Sequence, residues 1–284
     1  MTEPKLHMTG VGAIELATWE WNAAAKGTSP TMVFAHATGF HGRVFDAVIE
    51  HFPESHVLSL EMHGHGRSGG GPVEHWLDVA GEVTAVLDGF GVSGAVGIGH
   101  SMGAHILLQV AADHPETFKR LTLFDPVVLG PEWYESGSLA FDTSQPHPAA
   151  RRKREFASPD AMFDRFMERD PYSLYDPRVL RDYCEYGLLP VGDGFELACP
   201  PEVEASVYES SRSNKGIVDT ARRVEVPVTV VRARQGPMGD FKSSPTWPEL
   251  ASVMPDGTDM HRDDMTHFHP FQDPADAARI IGAG

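Results

Sequence analysis

Residues 95–108, Ala95-Val96-Gly97-Ile98-Gly99-His100-Ser101-Met102-Gly103-Ala104-His105-Ile106-Leu107-Leu108, read as a strand, a sharp turn and a helix. The first four are a short apolar run of the kind that forms a buried strand, and the last five continue as an apolar helix. Between them stands a serine with a glycine two residues away on each side. Side chains at those flanking positions would collide across so tight a turn. The serine itself is left at a helix N-terminus, where backbone N–H groups and the helix dipole favour an oxyanion. Ser101 is therefore read as a nucleophile.

Strands and helices alternate on both sides of this turn, which predicts a mostly parallel sheet with helices on both faces. Residues 5–22 read as an N-terminal hairpin turning near Gly10-Val11-Gly12, and Thr31 to His36 and His56 to Leu60 as strands. Arg43 to Phe52 and Glu74 to Phe90 have helical spacing, as does the run from Met102 to Asp113, and Leu121 to Phe124 is again a strand. Residues 127–222 break the alternation. They are rich in Pro, Arg, Tyr and Asp, with helical pieces at Ala161 to Glu168 and Pro177 to Tyr186, and are expected to form an inserted, mainly helical cap after the sixth strand. Alternation resumes with a strand at Val226 to Val231, a helix at Trp247 to Val253, a strand at Thr258 to Arg262 and a helix at Ala275 to Ile281. Residues 1–126 and 223–284 are thus assigned to the core.

The net charge of −17 argues against a nucleic-acid partner, because neutralising phosphates needs clustered Lys and Arg. The one basic run, Arg151-Arg152-Lys153-Arg154, is expected to be a solvated helix face. No apolar run reaches membrane-spanning length, and Met1-Thr2-Glu3-Pro4-Lys5 does not open a secretory signal. The only cysteines, Cys184 and Cys199, form no CxxC pair and are expected to be free thiols of a cytoplasmic protein. The closest histidine pairs, His63-x-His65 and His267-x-His269, lie in loops with another explanation, so neither a metal nor another cofactor is expected. The expected partner is a small-molecule substrate; monomer and homodimer both remain open.

Four motifs, in order along nearly the whole chain, resemble those of the α/β-hydrolase superfamily, and of its capped, esterase-like members in particular. They are His36-Ala37-Thr38-Gly39-Phe40 after the third strand, Glu61-Met62-His63-Gly64-His65-Gly66-Arg67-Ser68 after the fourth, Gly99-His100-Ser101-Met102-Gly103 after the fifth, and Thr266-His267-Phe268 near the end. The resemblance implies an oxyanion hole made by the backbone N–H groups of Met102 and Thr38, although Ala37 stands where relatives usually have glycine. It implies His267 as the base, ahead of His269. His63 and His65 are expected to be structural parts of their loop, and the His100 side chain to point away from the base.

The acid is where the pattern departs. Relatives mostly carry an aspartate a few residues past the strand before the last, and counting from Val228-Thr229-Val230-Val231 puts Gly236 there. Two carboxylates remain. Asp125 ends the sixth strand in Leu123-Phe124-Asp125-Pro126, a position some branches of the superfamily use, and is preferred; Asp240 is the alternative.

A serine at the elbow favours acyl transfer to water, because an alkyl ether on serine would be a dead end. The expected activity is that of a serine hydrolase acting on a small, fairly apolar ester or lactone through a Ser-His-Asp triad and an acyl-enzyme. A cofactor-free oxygenase or lyase, or a C–C bond hydrolase, on the same scaffold is the alternative, with a catalytically silent binding protein behind it. His36, Trp133, Tyr134 and Phe163 are expected to bind substrate. Phe166, Tyr172 and Tyr175 are further aromatics of the insert able to line a pocket.

Overall fold

The computed structural model describes residues 3–135, 145–237 and 240–284. Residues 136–144 of the expected insert lie outside them. An eight-stranded sheet forms the centre, built from β1 (Lys5–Val11), β2 (Ile14–Trp21), β3 (Met32–Ala35), β4 (Val57–Leu60), β5 (Ala95–His100), β6 (Phe118–Phe124), β10 (Val228–Ala233) and β11 (Gly257–Arg262). Their spatial order is β1-β2-β4-β3-β5-β6-β10-β11. β1 and β2 form an antiparallel hairpin, β2 also runs antiparallel to β4, and the remaining pairs are parallel. Every residue of β3, β4 and β5 is buried, which is why these strands read as mostly apolar runs without alternation.

Successive strand residues face opposite sides, so two cores form. Val33 and Ala35 join Trp76, Val83 and Leu107 of the helices Trp76–Gly89 and Met102–Asp113, whereas Phe34 and Ile98 join Phe45, Phe271 and Ile280. The helix expected over Trp247 to Val253 reduces to a single 3-10 turn, Ala251–Val253. Pro248 and Pro255 bracket too few residues for an α-helix to repay its nucleation cost.

Between β6 and β10 the chain leaves the sheet. Among the described residues it forms the helices Pro131–Glu135, Pro159–Phe166, Pro177–Tyr186, Pro201–Glu209 and Ile217–Ala221. It also forms a small antiparallel sheet that the helical expectation did not include. This sheet consists of β7 (Glu155–Phe156), β8 (Leu188–Val191) and β9 (Gly194–Leu197) in the order β7-β9-β8. β8 and β9 meet through a two-residue turn, Gly192-Asp193, with Gly192 at φ +57. Pro190, which donates no ladder bond, sits on the edge strand β8.

Candidate active site

Ser101 lies between β5 and the helix Met102–Asp113 at φ 57, ψ −116, a conformation costly for a residue with a side chain. Its backbone is held from several directions. The Ser101 N–H donates to the Phe124 carbonyl at 3.0 Å, and the Ser101 carbonyl accepts from His105 and Val127. The flanking glycines have steric reasons. A Cβ on Gly99 would stand 2.4 Å from Cα of Ala104, and one on Gly103 would stand 2.2 Å from the Ala35 carbonyl oxygen. β5, its helix and β3 thus close on the turn too tightly for any other residue.

Three side chains from three strand ends meet here. His267 Nε2 lies 3.1 Å from Ser101 Oγ, and His267 Nδ1 lies 3.1 Å from Asp125 Oδ2. A carboxylate at Nδ1 keeps the proton on that nitrogen and leaves Nε2 to accept from the serine hydroxyl. The His267 backbone is tied down as well: its N–H donates to the Lys242 carbonyl, and its carbonyl accepts at 2.7 Å from Nε2 of His100, whose ring lies 4.9 Å from that of His267 instead of pointing away as expected. Burial, reinforced by the charge of His267, pushes the His100 pKa down to about 3, so His100 is a neutral support.

Asp125 sits at the end of β6 with φ 45 and is buried. Burial pushes its pKa up. The hydrogen bond and charge of His267, the Ser244 hydroxyl and the Ala233 N–H more than offset this and hold the carboxyl below its ordinary value. The Thr246 hydroxyl lies 3.5 Å from the same oxygen. Asp240 does not approach His267. It caps a turn, accepting from the Lys242 N–H at 3.0 Å and the Ser243 hydroxyl at 2.7 Å. Where the usual aspartate is missing, at Gly236, a Cβ would stand 2.0 Å from Ser243 Oγ. The loop after β10 thus gives Asp125 hydroxyls instead of a carboxylate. The run Ser243-Ser244-Pro245-Thr246 was the sequence signal for that support.

The loop after β3 is braced by two buried histidines. His36 donates from Nδ1 to the Ala37 carbonyl and accepts at Nε2 from the Met62 N–H. His65 donates from Nδ1 to the His63 carbonyl and accepts at Nε2 from the Gly39 N–H at 3.0 Å. Burial pushes the His65 pKa down to about 4 and that of His36 well below its ordinary value, so both are neutral and able to accept. The Phe40 N–H donates to Ala37. Thr38 lies on the cavity side of this loop, and Met102 holds the first helical position, whose N–H has no acceptor within the helix. His269 faces elsewhere, with Nε2 2.8 Å from Asp276.

A cavity of about 240 Å³ opens beside Thr38, Phe40 and Phe268, the last being the neighbour of His267. Its far wall comes from the segment between β6 and β10 and includes Arg152, Tyr172, Tyr175, Tyr183 and Glu204. None of the four residues expected to bind substrate lines this cavity. His36 is spent under the β3 loop. Tyr134 is buried in one core, with its hydroxyl accepting from the Leu129 N–H. Trp133 lies on the helix Pro131–Glu135, away from the lining, and its carbonyl accepts from Arg212. Phe163 lies under the Arg181 guanidinium, 3.9 Å from its ring centre. Phe166, stacked on Tyr172 at 4.2 Å, stands behind the wall, whereas Tyr172 and Tyr175 do line it.

The basic run also departs from the expected solvated face. Arg154 is half-exposed and pairs with Glu202, but Arg152 turns inward to pair with Glu204 and donates to the hydroxyls of Tyr183 and Tyr172 at 2.8 and 3.2 Å. Alternation of burial within so short a run left no periodicity by which to see it. Among the described residues no group of His, Cys, Asp or Glu side chains is arranged to hold a metal, and no helix is long and apolar enough to cross a membrane.

The model of the α/β hydrolase fold family matches residues 30–177. A lipase of Mycobacterium tuberculosis, LipV, is 33% identical over 94 residues, which are 33% of this chain and 36% of the lipase. Several curated relatives match in this partial way, and the chain spans less than half of their length. The 2-(acetamidomethylene)succinate hydrolase of Mesorhizobium japonicum is 22% identical over 248 residues, 84% of each chain. A solved structure of E-2-(acetamidomethylene)succinate hydrolase superposes with a TM-score of 0.79 at 19% identity, covering 99% of this chain and 98% of the other.

Proposed function

Because the chain belongs to the α/β-hydrolase fold family, we propose that Ser101, His267 and Asp125 form its catalytic triad. In this reading the protein hydrolyses a small ester or lactone through an acyl-enzyme. The observation that carries it is the continuous hydrogen-bonded line from Ser101 Oγ through His267 to Asp125, 3.1 Å at each step. The relatives named as lipase and hydrolase support the same class of chemistry.

Each step uses a group already in position. Ser101 Oγ attacks the ester carbonyl carbon while its proton passes to His267 Nε2. Asp125 stabilises the imidazolium so formed and holds the ring in orientation. The carbonyl oxygen becomes an oxyanion facing the N–H groups of Met102 and Thr38, each worth about 3–4 kcal/mol in the transition state. The bond to the leaving oxygen breaks, and that oxygen takes the proton from His267. Water then attacks the acyl-enzyme carbonyl, gives its proton to His267 and releases the acid, after which the proton returns to Ser101 Oγ. The segment between β6 and β10 acts as a cap over the pocket.

The hydrogen bond between Ser101 and His267 favours this nucleophilic use of the histidine over direct proton abstraction from substrate. A fluorophosphonate probe tests the reading. The wild type is expected to label and to turn over p-nitrophenyl acetate. Ser101→Ala is expected not to label and to lose about 10⁶-fold in kcat. A wild type that neither labels nor hydrolyses the ester would remove Ser101 from the chemistry.

A further inference from the structure

Among the polar groups of the cavity wall, the Tyr175 hydroxyl stands out. Tyr175 packs its ring against Phe268 at 5.4 Å, Phe271 at 5.7 Å and Phe40 at 6.3 Å, so the ring is fixed at the junction of core and inserted segment. The residue lines the cavity, yet its hydroxyl is buried with no hydrogen-bond partner. Phenylalanine would pack equally well there without leaving a donor unmet. The neighbouring tyrosines differ, since the hydroxyls of Tyr172 and Tyr183 accept from Arg152.

The charge of the wall narrows what can meet that donor. Among the described residues, the charged side chains of the lining are Arg152 and Glu204, and they pair with each other. Glu204 keeps 7% of its side-chain surface exposed and Arg152 keeps 19%, so the pair is held largely away from water. His147, also in the lining, is shifted by burial towards its neutral form. A substrate carboxylate would therefore add an uncompensated buried charge. A purely alkyl group would leave the Tyr175 hydroxyl unmet. A carbonyl oxygen accepts its hydrogen bond and adds no charge.

We propose that the cavity selects an acyl group bearing a second, neutral hydrogen-bond acceptor, a ketone, ester or amide carbonyl, received by the Tyr175 hydroxyl beside the Arg152–Glu204 pair. The proposal rests on the ester-hydrolase reading above and adds the substrate class.

Three p-nitrophenyl esters test it: 5-oxohexanoate, hexanoate and hydrogen glutarate, which end in a ketone, a methyl group and a carboxylate. The wild type is expected to favour 5-oxohexanoate over each of the others by about tenfold in kcat/KM, and Tyr175→Phe to bring the ketone-to-alkyl ratio below about twofold. The methyl esters of 5-oxohexanoic and hexanoic acid are also titrated calorimetrically into Ser101→Ala, whose Kd values read the cavity without turnover. The ketone is expected to bind about tenfold more tightly. Equal Kd values, or a ratio that survives Tyr175→Phe, would overturn the proposal and leave the triad standing. Preference for the glutarate would overturn it in favour of an anion site. Absence of turnover with all three esters, alongside selective binding to Ser101→Ala, would overturn the hydrolase reading instead.

Discussion

The turn at Ser101 and the far wall of the cavity beside Thr38 and Phe268 are built by different means. At the turn each residue type follows from the backbone. Ser101 is bent to φ 57, Gly99 and Gly103 stand where a Cβ would strike main chain, Asp125 directly follows β6 beside β5, and His267 lies in the loop after β11. On the wall, Arg152, Tyr172, Tyr175 and Tyr183 come from a loop, a 3-10 turn and a helix of the inserted segment, positioned by ring packing and by the pairing of Arg152 with Glu204. Backbone sterics tolerate little substitution, whereas packed side chains can be exchanged for others of similar volume. The same scaffold can therefore keep one chemistry and accept different substrates.

The sharpest way to break this contrast is at the acid. Asp125→Asn leaves a side chain of the same shape but presents an amide to His267 Nδ1, which disfavours the tautomer that leaves Nε2 free. On the serine-protease precedent kcat should fall about 10⁴-fold. Asp240→Asn removes only a turn cap and should change kcat less than about twofold, measured with p-nitrophenyl acetate. A large loss in Asp240→Asn with Asp125→Asn near full activity would mean that the loop after β10, and not the end of β6, supplies the acid.

What the sequence made legible divides along the same line. The tight turn at Ser101 and the meeting of Ser101 with His267 and Asp125 could be read because strand ends and glycines leave periodic and steric marks. The hairpin of β8 and β9 was missed although Val191-Gly192-Asp193-Gly194 carries a turn signal, since Pro190 counts against a strand unless the strand is an edge. Of the wall, Tyr172 and Tyr175 were legible, and the rest was not for a deeper reason. Arg152 faces inward while Arg151 and Lys153 are exposed, and nothing in a four-residue basic run says which member finds a buried glutamate fifty residues on. Aromatic residues in the segment were visible, but the division between lining residues such as Tyr175 and packing residues such as Tyr134 is set by tertiary contacts alone.

A smaller effect is expected one layer behind the oxyanion loop. His65 accepts the Gly39 N–H, which fixes the peptide next to Thr38. His65→Leu keeps much of the volume and removes the acceptor. The Thr38 N–H should then lose alignment with the developing charge but not with a neutral ground-state ester. A drop in kcat of roughly 10–100-fold with KM changed less than about threefold is expected, below the cost of deleting a donor outright. A rise in KM at constant kcat would instead make His65 part of the substrate wall.

The smallest effect lies one step further out, where the loop is anchored to the helix Trp76–Gly89. His63, whose carbonyl accepts from His65, pairs through Nδ1 with Glu82 at 2.9 Å, and that hydrogen bond raises its pKa above the ordinary value of 6.5. A raised pKa in the folded state means that folding favours the protonated ring. The resulting stability is fully present below pH 6.5 and is lost as pH rises through the raised value. Both side chains keep nearly a fifth of their surface exposed, so solvent screening limits the contribution to about 1 kcal/mol or less. Urea unfolding at pH 5.5 and pH 8.5 should show the wild type losing more stability over this interval than Glu82→Gln. The kcat of the two proteins should differ by less than about twofold. An equal loss of stability in wild type and variant would remove His63 from the anchoring of the loop and leave His65 held by backbone geometry alone.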